Sequence, residues 1–252
     1  MALRLLSMIC GLKLVIGERE GYIVGGDYVD SVTDFPHVAI LWIAKPDGYD
    51  CFCGSSILNQ KILLTAAHCF DDVVKVTALA GSLDRQKGKL HHIDRYKQHK
   101  QWERRTVTND IALARLKKPW SFGKTVKRVI LMRKPPQAKT AEVAGWGITD
   151  EDYYSETDLL KHTKQKVWTL KECRKVLPKA PEGTICGGEK KSKKDFASSG
   201  DSGSGLVINK KIIIGIVSYK ITEVSRSLVV YTNAPYFYDW VLVESRRLSC
   251  SE

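Results

Sequence analysis

The stretch Gly200-Asp201-Ser202-Gly203 has the composition of a turn that presents a nucleophile. Its glycines let the backbone bend sharply, so the Ser202 hydroxyl would project from the turn. The backbone N–H groups of Gly200 and Ser202 would then point at one oxyanion. A serine hydroxyl is a weak nucleophile until a neighbouring base takes its proton. The stretch therefore predicts acyl-transfer chemistry if the chain also supplies a base.

A candidate base and a candidate residue to orient it lie upstream. His68 stands in the motif LTAAHC, and Asp110 stands in the motif NDIAL. A Gly-Asp-Ser-Gly turn alone is weak evidence, because these residues fill ordinary turns. With His68 and Asp110 in the order His, Asp, Ser, the turn predicts a triad. His68 would be the base, Asp110 its orienting carboxylate and Ser202 the nucleophile.

These motifs, together with IVGG from Ile23 and GWG around Trp146, carry a resemblance. The chain resembles the chymotrypsin family of serine proteases, and most of all the mite group 3 allergens and their catalytically degraded paralogues. The resemblance runs from Ile23 to the tail around Trp240. It implies that cleavage before Ile23 frees an amino group, which pairs with Asp201 and orders the oxyanion hole.

Short apolar and β-branched runs, separated by Gly, Asp and Pro, recur along the chain. They cover residues 38–43, 56–64, 73–79 and 111–116. This pattern predicts an all-β barrel or sandwich, with a short helix over 170–177 and a C-terminal helix over 236–248. The resemblance selects two six-stranded antiparallel β-barrels with a C-terminal α-helix, the crossing connection near 119–136 and the triad in the cleft between the barrels.

The beginning of the chain predicts processing. Residues 1–17 have the basic start and small-residue exit of a secretory signal peptide, although Lys13 interrupts the apolar stretch. Residues 18–22 would be a short propeptide, and residues 23–252 the protease domain. Because Tyr22 rather than Arg or Lys precedes Ile23, we expect an activator that is not trypsin-like.

Seven cysteines are present, and Cys10 falls in the predicted leader. The resemblance implies the disulfides Cys53–Cys69 and Cys173–Cys186. Cys51 and Cys250 are left over, and they could bond each other, bond a partner or remain free buried thiols. Disulfides and a leader predict a secreted, extracellular protein.

Departures from the family pattern lie in the primary specificity pocket. Phe196 stands six residues before Ser202, where a trypsin-like enzyme has its floor aspartate. Ser218 would also line the pocket. Lys220, two residues after it, and Val229 stand where the family has wall glycines. A glycine leaves such a slot open because it has no side chain. Bulkier residues at these positions predict a filled pocket, and the sequence leaves open whether the Phe196 side chain points into it or away.

Two functions from different classes follow. The first is a pseudoprotease, weak or inactive in proteolysis, that binds target proteins; the degraded mite paralogues suggest host proteases or complement-like components. The second is an active endopeptidase that cleaves after small or apolar residues. The intact triad favours the second, whereas the filled pocket and Ser198, which replaces a bracing cysteine, favour the first. An arginine substrate facing Phe196 without a counter-ion would cost several kcal/mol, which excludes trypsin-like cleavage.

The chain is basic, with a formal net charge of +12, which bears on its possible binding partners. Basic residues cluster in 87–105, 127–139 and 190–194, which predicts either polyanion binding or solvated loops. The chain has no nucleic-acid motif and no apolar run of about 20 residues, so we expect neither nucleic acid nor membrane as partner. The carboxylates between 70 and 88 are too few for calcium. We expect no metal, no cofactor and a monomer.

Overall fold

The computed structural model describes residue 24 and residues 26–150, 155–189, 196–220, 222 and 224–250. These residues form strands joined by loops, with two α-helices and two 3₁₀ helices. The strands are β1 (Asp27–Tyr28), β2 (Val38–Ala44), β3 (Asp50–Ile57), β4 (Ile62–Thr65), β5 (Lys75–Ala80), β6 (Lys89–Gln98), β7 (Ala112–Leu116), β8 (Ile130–Leu131), β9 (Thr140–Gly145), β10 (Lys161–Trp168), β11 (Thr184–Gly187), β12 (Gly205–Ile208), β13 (Ile212–Lys220) and β14 (Val229–Asn233). The helices are the 3₁₀ helix Ala67–Phe70, α1 (Leu170–Cys173), the 3₁₀ helix Ala234–Phe237 and α2 (Tyr238–Cys250).

The first half of the chain closes into a barrel in the order β2-β3-β4-β7-β6-β5. All neighbouring pairs in it are antiparallel. Two apolar runs form buried strands: β4 is buried throughout, and β2 at five of its seven residues. The 3₁₀ helix that carries His68 follows β4 almost directly. Barrel closure therefore fixes the position of the candidate base.

The second half forms another six-stranded barrel, in the order β9-β10-β11-β14-β13-β12. It closes because β9 pairs with both β10 and β12. Two short strands lie outside the barrel: β1 pairs with β10, and β8 pairs with β13 in parallel. The connection between β7 and β9 contains the predicted crossing. The predicted fold class, two six-stranded antiparallel barrels with a C-terminal helix, is confirmed.

Some elements differ from the sequence prediction. The run 56–64 is not one strand, because it spans the end of β3, a turn and most of β4. The helix predicted over 170–177 is only α1, four residues long, which begins at a capping box between Thr169 and Glu172. The C-terminal helix α2 begins two residues later than predicted, after a 3₁₀ turn that starts with Ala234 and Pro235.

Both disulfides that the resemblance implies are present, Cys53–Cys69 and Cys173–Cys186. Cys51 is also disulfide-bonded, whereas Cys250 is an exposed free thiol. The two alternatives in which Cys51 and Cys250 bond each other or are both free buried thiols are therefore wrong.

The predicted signal peptide and propeptide lie outside the described residues. Among the described helices, none is long and apolar enough to cross a membrane.

His37 gives the fold a dependence on pH. It is 2% exposed at the start of the first barrel, and its Nε2 has no hydrogen-bond partner within the described residues. Burial lowers its pKa from 6.5 to about 4. The unfolded chain therefore binds a proton that the folded chain does not, so stability falls as pH decreases from about 6.5 towards 4. The full loss corresponds to about 3 kcal/mol.

We expect His37→Leu to remove much of this loss. The measurement is urea unfolding at pH 7 and pH 4.5, compared with His92→Gln, which changes an exposed histidine. If His37→Leu loses as much stability on acidification as the unmodified chain, another group carries the effect.

Candidate active site

The first barrel brings His68 and Asp110 into contact. His68 lies in the 3₁₀ helix after β4, and Asp110 lies just before β7, which pairs with β4. The His68 Nδ1 atom is 2.8 Å from Asp110 Oδ2, and the His68 backbone N–H donates to Asp110 Oδ1 at 2.9 Å. Both side chains are almost fully buried. The carboxylate thus holds both the ring and the backbone of the candidate base.

The second barrel completes the surroundings of Asp110. The Ser218 hydroxyl on β13 donates to Asp110 Oδ2 at 2.5 Å, and the Thr232 hydroxyl on β14 donates to the Asp110 carbonyl at 2.8 Å. The sequence placed Ser218 only in the pocket and did not indicate Thr232. Barrel pairing brings both to Asp110 over more than 100 residues of chain, which no local motif signals.

The electrostatics of the pair suit a general base. Burial alone would lower the pKa of His68, but the charge of Asp110 and the hydrogen bond to it raise that pKa above its ordinary value. Burial would raise the pKa of Asp110, but His68 and the hydrogen bonds from His68 and Ser218 hold it below its ordinary value. The carboxylate therefore stays ionised and favours a protonated imidazole. That is the state a base reaches after it takes a proton from a nucleophile.

The predicted nucleophile turn lies against the segment that carries His68. The Ser202 carbonyl accepts from the Gly54 N–H at 2.7 Å and lies 3.9 Å from the Cys69 sulfur. Gly200 has φ +87°, and a Cβ there would overlap the ring of Phe52, so only glycine suits this position. Within the described residues, the Ser202 hydroxyl makes no hydrogen bond. The hydrogen bond between a nucleophile and its base often forms only when substrate is bound.

The two predicted oxyanion donors are available. Among the described residues, the backbone N–H groups of Gly200 and Ser202 donate to no backbone acceptor, whereas their neighbours Asp201, Gly203 and Ser204 all do. Two unoccupied donors one residue apart form the arrangement that would bind a developing negative charge on a carbonyl oxygen.

The Asp201 side chain turns inward, away from the nucleophile. Its two carboxylate oxygens accept from the backbone N–H groups of Gly147 and Ser198, at 2.9 and 2.8 Å. Ile23, its predicted partner, lies outside the described residues. The next residue, Val24, forms a β-bridge with Phe196, donating to the Phe196 carbonyl at 2.9 Å.

Of the four residues predicted in the specificity pocket, Ser218 contacts Asp110, and the other three are buried and neighbour one another. Phe196, Lys220 and Val229 are 1%, 0% and 1% exposed. Lys220 and Val229 are paired across β13 and β14. The Lys220 ammonium lies 4.2 Å from the centre of the Phe196 ring and donates to the Arg226 carbonyl at 3.1 Å. The Phe196 ring therefore faces the ammonium group.

Two further buried hydroxyls in the second barrel region lack partners among the described residues. Within the described chain, the hydroxyls of Ser198 and Tyr231 are buried and have no hydrogen-bond partner. The described residues contain one group of metal-ligand types close enough to share an ion, Cys53, His68 and Cys69. Its two sulfurs form a disulfide, so it does not fit a metal.

Comparison with known proteins agrees with this geometry. A family model described as Trypsin matches residues 23–241. Human cathepsin G is 30% identical over 248 residues, which cover 96% of this chain and 94% of cathepsin G. The solved structure of HL collagenase superposes with a TM-score of 0.77 at 27% identity, covering 88% of this chain and 98% of that one. A scabies mite inactivated protease paralogue, S-D1, shares the fold, with a TM-score of 0.76 at 24% identity over 90% of this chain and 97% of its own. The chain therefore belongs to the trypsin family of serine proteases.

Proposed function

We propose that this chain is a secreted serine protease homologue whose catalytic residues are retained, whose specificity pocket is filled by its own side chains, and which acts by binding target proteins. Proteolysis would be weak or absent. The observation that carries the proposal is the contact between the Lys220 ammonium and the Phe196 ring. It puts two large side chains from separate segments of the chain against each other in the predicted pocket.

The contact also argues against cleavage after arginine or lysine. A substrate arginine or lysine would bring a second cation towards the Lys220 ammonium, and Phe196 offers no carboxylate to balance it. Two like charges brought together in a buried site repel each other, which costs several kcal/mol. Val229 narrows the same space from the neighbouring strand, where it faces Lys220. A large apolar substrate side chain would therefore lack room as well.

The alternative is an active endopeptidase that accepts small or apolar residues. It is supported by the hydrogen bonds around Asp110 and by the two unoccupied N–H donors at Gly200 and Ser202. A small side chain would need little of the pocket that Lys220 and Phe196 occupy.

A probe and a peptide library separate the two functions. Protein that begins at Ile23 is treated with a fluorophosphonate, which reacts with an activated serine without using the specificity pocket. We expect labelling that depends on Ser202, and cleavage of a random peptide library that stays at the level of a Ser202→Ala control. Turnover well above that control after alanine, valine or similar residues would support the active endopeptidase instead.

We also propose secretion, activation by cleavage before Ile23 and binding to polyanions. Disulfide bonds at Cys53, Cys69, Cys173 and Cys186 support secretion. Activation by cleavage before Ile23 concerns a residue outside the described part. For polyanion binding, the supporting observation is a groove between β6 and α2 lined by Arg95, Lys97 and Arg247 together with Asp94 and Glu244. Asp94 pairs with Arg115, and Glu244 pairs with Arg247 of the groove itself.

A further inference from the structure

A second carboxylate lies at the end of the short helix that carries His68. Asp71 follows the 3₁₀ helix Ala67–Phe70, and its backbone N–H donates to the His68 carbonyl at 3.2 Å. The Gln98 side-chain amide donates both to the Ala67 carbonyl and to Asp71 Oδ1, each at 2.9 Å. The Asp71 carboxylate is thus tied to the backbone immediately before the base.

The carboxylate is sheltered from solvent. Its side chain is 14% exposed, and the Trp102 indole N–H donates to Oδ1 at 3.0 Å. The other oxygen, Oδ2, is buried and accepts no hydrogen bond from the described residues. Arg104 Nε lies 3.7 Å from it. A charge held in such surroundings is screened less than one on the open surface.

The positive charge of Lys45 lies close to Asp71. The Lys45 ammonium donates a hydrogen bond to the Asp71 carbonyl. Burial lowers the pKa of Lys45, while Asp71 and Asp72 act to raise it. Among the charged groups near His68, Asp110 and Asp71 raise the pKa of His68, and Lys45 lowers it.

We propose that Asp71 is a positioning residue for the candidate base: it anchors the helix that carries His68 and stabilises the imidazolium by its charge, and Lys45 counteracts that charge. The inference rests on the proposed role of His68 as base. Asp110 holds the ring directly, whereas Asp71 acts through the backbone and through space. An imidazolium must form each time Ser202 gives up its proton. A second carboxylate lowers the free energy of that state without contacting substrate.

The test follows the titration of His68 by NMR in protein labelled at histidine, with the His68 signal assigned by its loss in His68→Ala. Asp71→Asn keeps an oxygen that accepts from Gln98 and Trp102 but removes the charge. We expect it to move the His68 midpoint to lower pH, and Lys45→Met to move it to higher pH. Asp72→Asn is the matched control, because Asp72 is 72% exposed and pairs with Arg104; it should leave the midpoint in place.

Reaction with a fluorophosphonate gives a second readout. Its rate on the acid side follows the fraction of His68 that is unprotonated, so Asp71→Asn should react about two- to fivefold faster there and Lys45→Met more slowly. Unchanged midpoints in both variants, with Asp110→Asn still shifting His68, would overturn the inference. Neither readout depends on the specificity pocket or on peptide turnover. Failure here is therefore distinct from failure of the proposed function.

Discussion

Replacing Lys220 and Val229 together by glycine should raise cleavage of peptides with a large apolar residue before the scissile bond by roughly 10- to 100-fold in kcat/KM. Full burial of a leucine or phenylalanine side chain contributes about 1.5–3 kcal/mol, which is the energy that a filled pocket forgoes. Both side chains are buried and paired across β13 and β14, so we expect the two substitutions to open the proposed pocket beside Phe196. Peptide hydrolysis is measured with a fluorogenic library on protein that begins at Ile23.

Lys220→Met is the matched control, because it keeps the length of the side chain and removes only the charge. It should leave the pocket filled and give no gain. Fluorophosphonate labelling of Ser202 should be similar in all three proteins, since the probe does not need the pocket. If the glycine variant labels normally but gains no cleavage, the filled pocket does not limit proteolysis. The defect would then lie elsewhere in the substrate cleft.

The sequence predicted the strands whose apolar residues are buried, but it did not predict the strands that are mostly exposed. β2 and β4 are apolar and buried, and the pattern indicated both. β6 was missed because its ten residues, KLHHIDRYKQ, are mostly exposed and show no regular alternation. Its register also shifts between Ile93 and Arg95, which breaks any period of two. Pairing with β5 and β7 places this strand in the barrel, and a single sequence carries no signal for that pairing.

The sequence indicated which residues form the candidate site, but not where their side chains point. Motifs indicated His68, Asp110 and Ser202, because the turn and the two flanking segments have characteristic residues. The sequence placed Lys220 at a pocket wall, yet it could not tell that its ammonium lies over the Phe196 ring. Gln98 and Trp102 reach Asp71 across 27 and 31 residues of chain. Such contacts depend on how strands are paired, so only the folded chain reveals them.

Gly54→Ala is expected to destabilise the fold and to displace the turn that carries Ser202. Gly54 lies on β3 and donates its N–H to the Ser202 carbonyl at 2.7 Å. A Cβ on it would overlap the Ser204 side chain and would lie 3.0 Å from the Ser204 Cα. Ser204 is fully buried, so it cannot swing into solvent. We expect a loss of about 1–3 kcal/mol in unfolding free energy, and slower labelling of Ser202, because an error of about 1 Å in position can cost about 100-fold.

The double variant Gly54→Ala, Ser204→Gly tests whether that overlap is the cause. Removing the Ser204 side chain clears the space for the new methyl group, and it also removes a hydroxyl that has no partner among the described residues. The coupling free energy from the four proteins should therefore be favourable by about 0.5–3 kcal/mol. Recovery should stay incomplete, because the Cβ would still lie 3.0 Å from backbone at residue 204. Additive losses, with no recovery in unfolding or in labelling, would mean that the new methyl acts on the Ser202 turn by another route. In that case the close approach of β3 to Ser204 would not be what fixes the nucleophile.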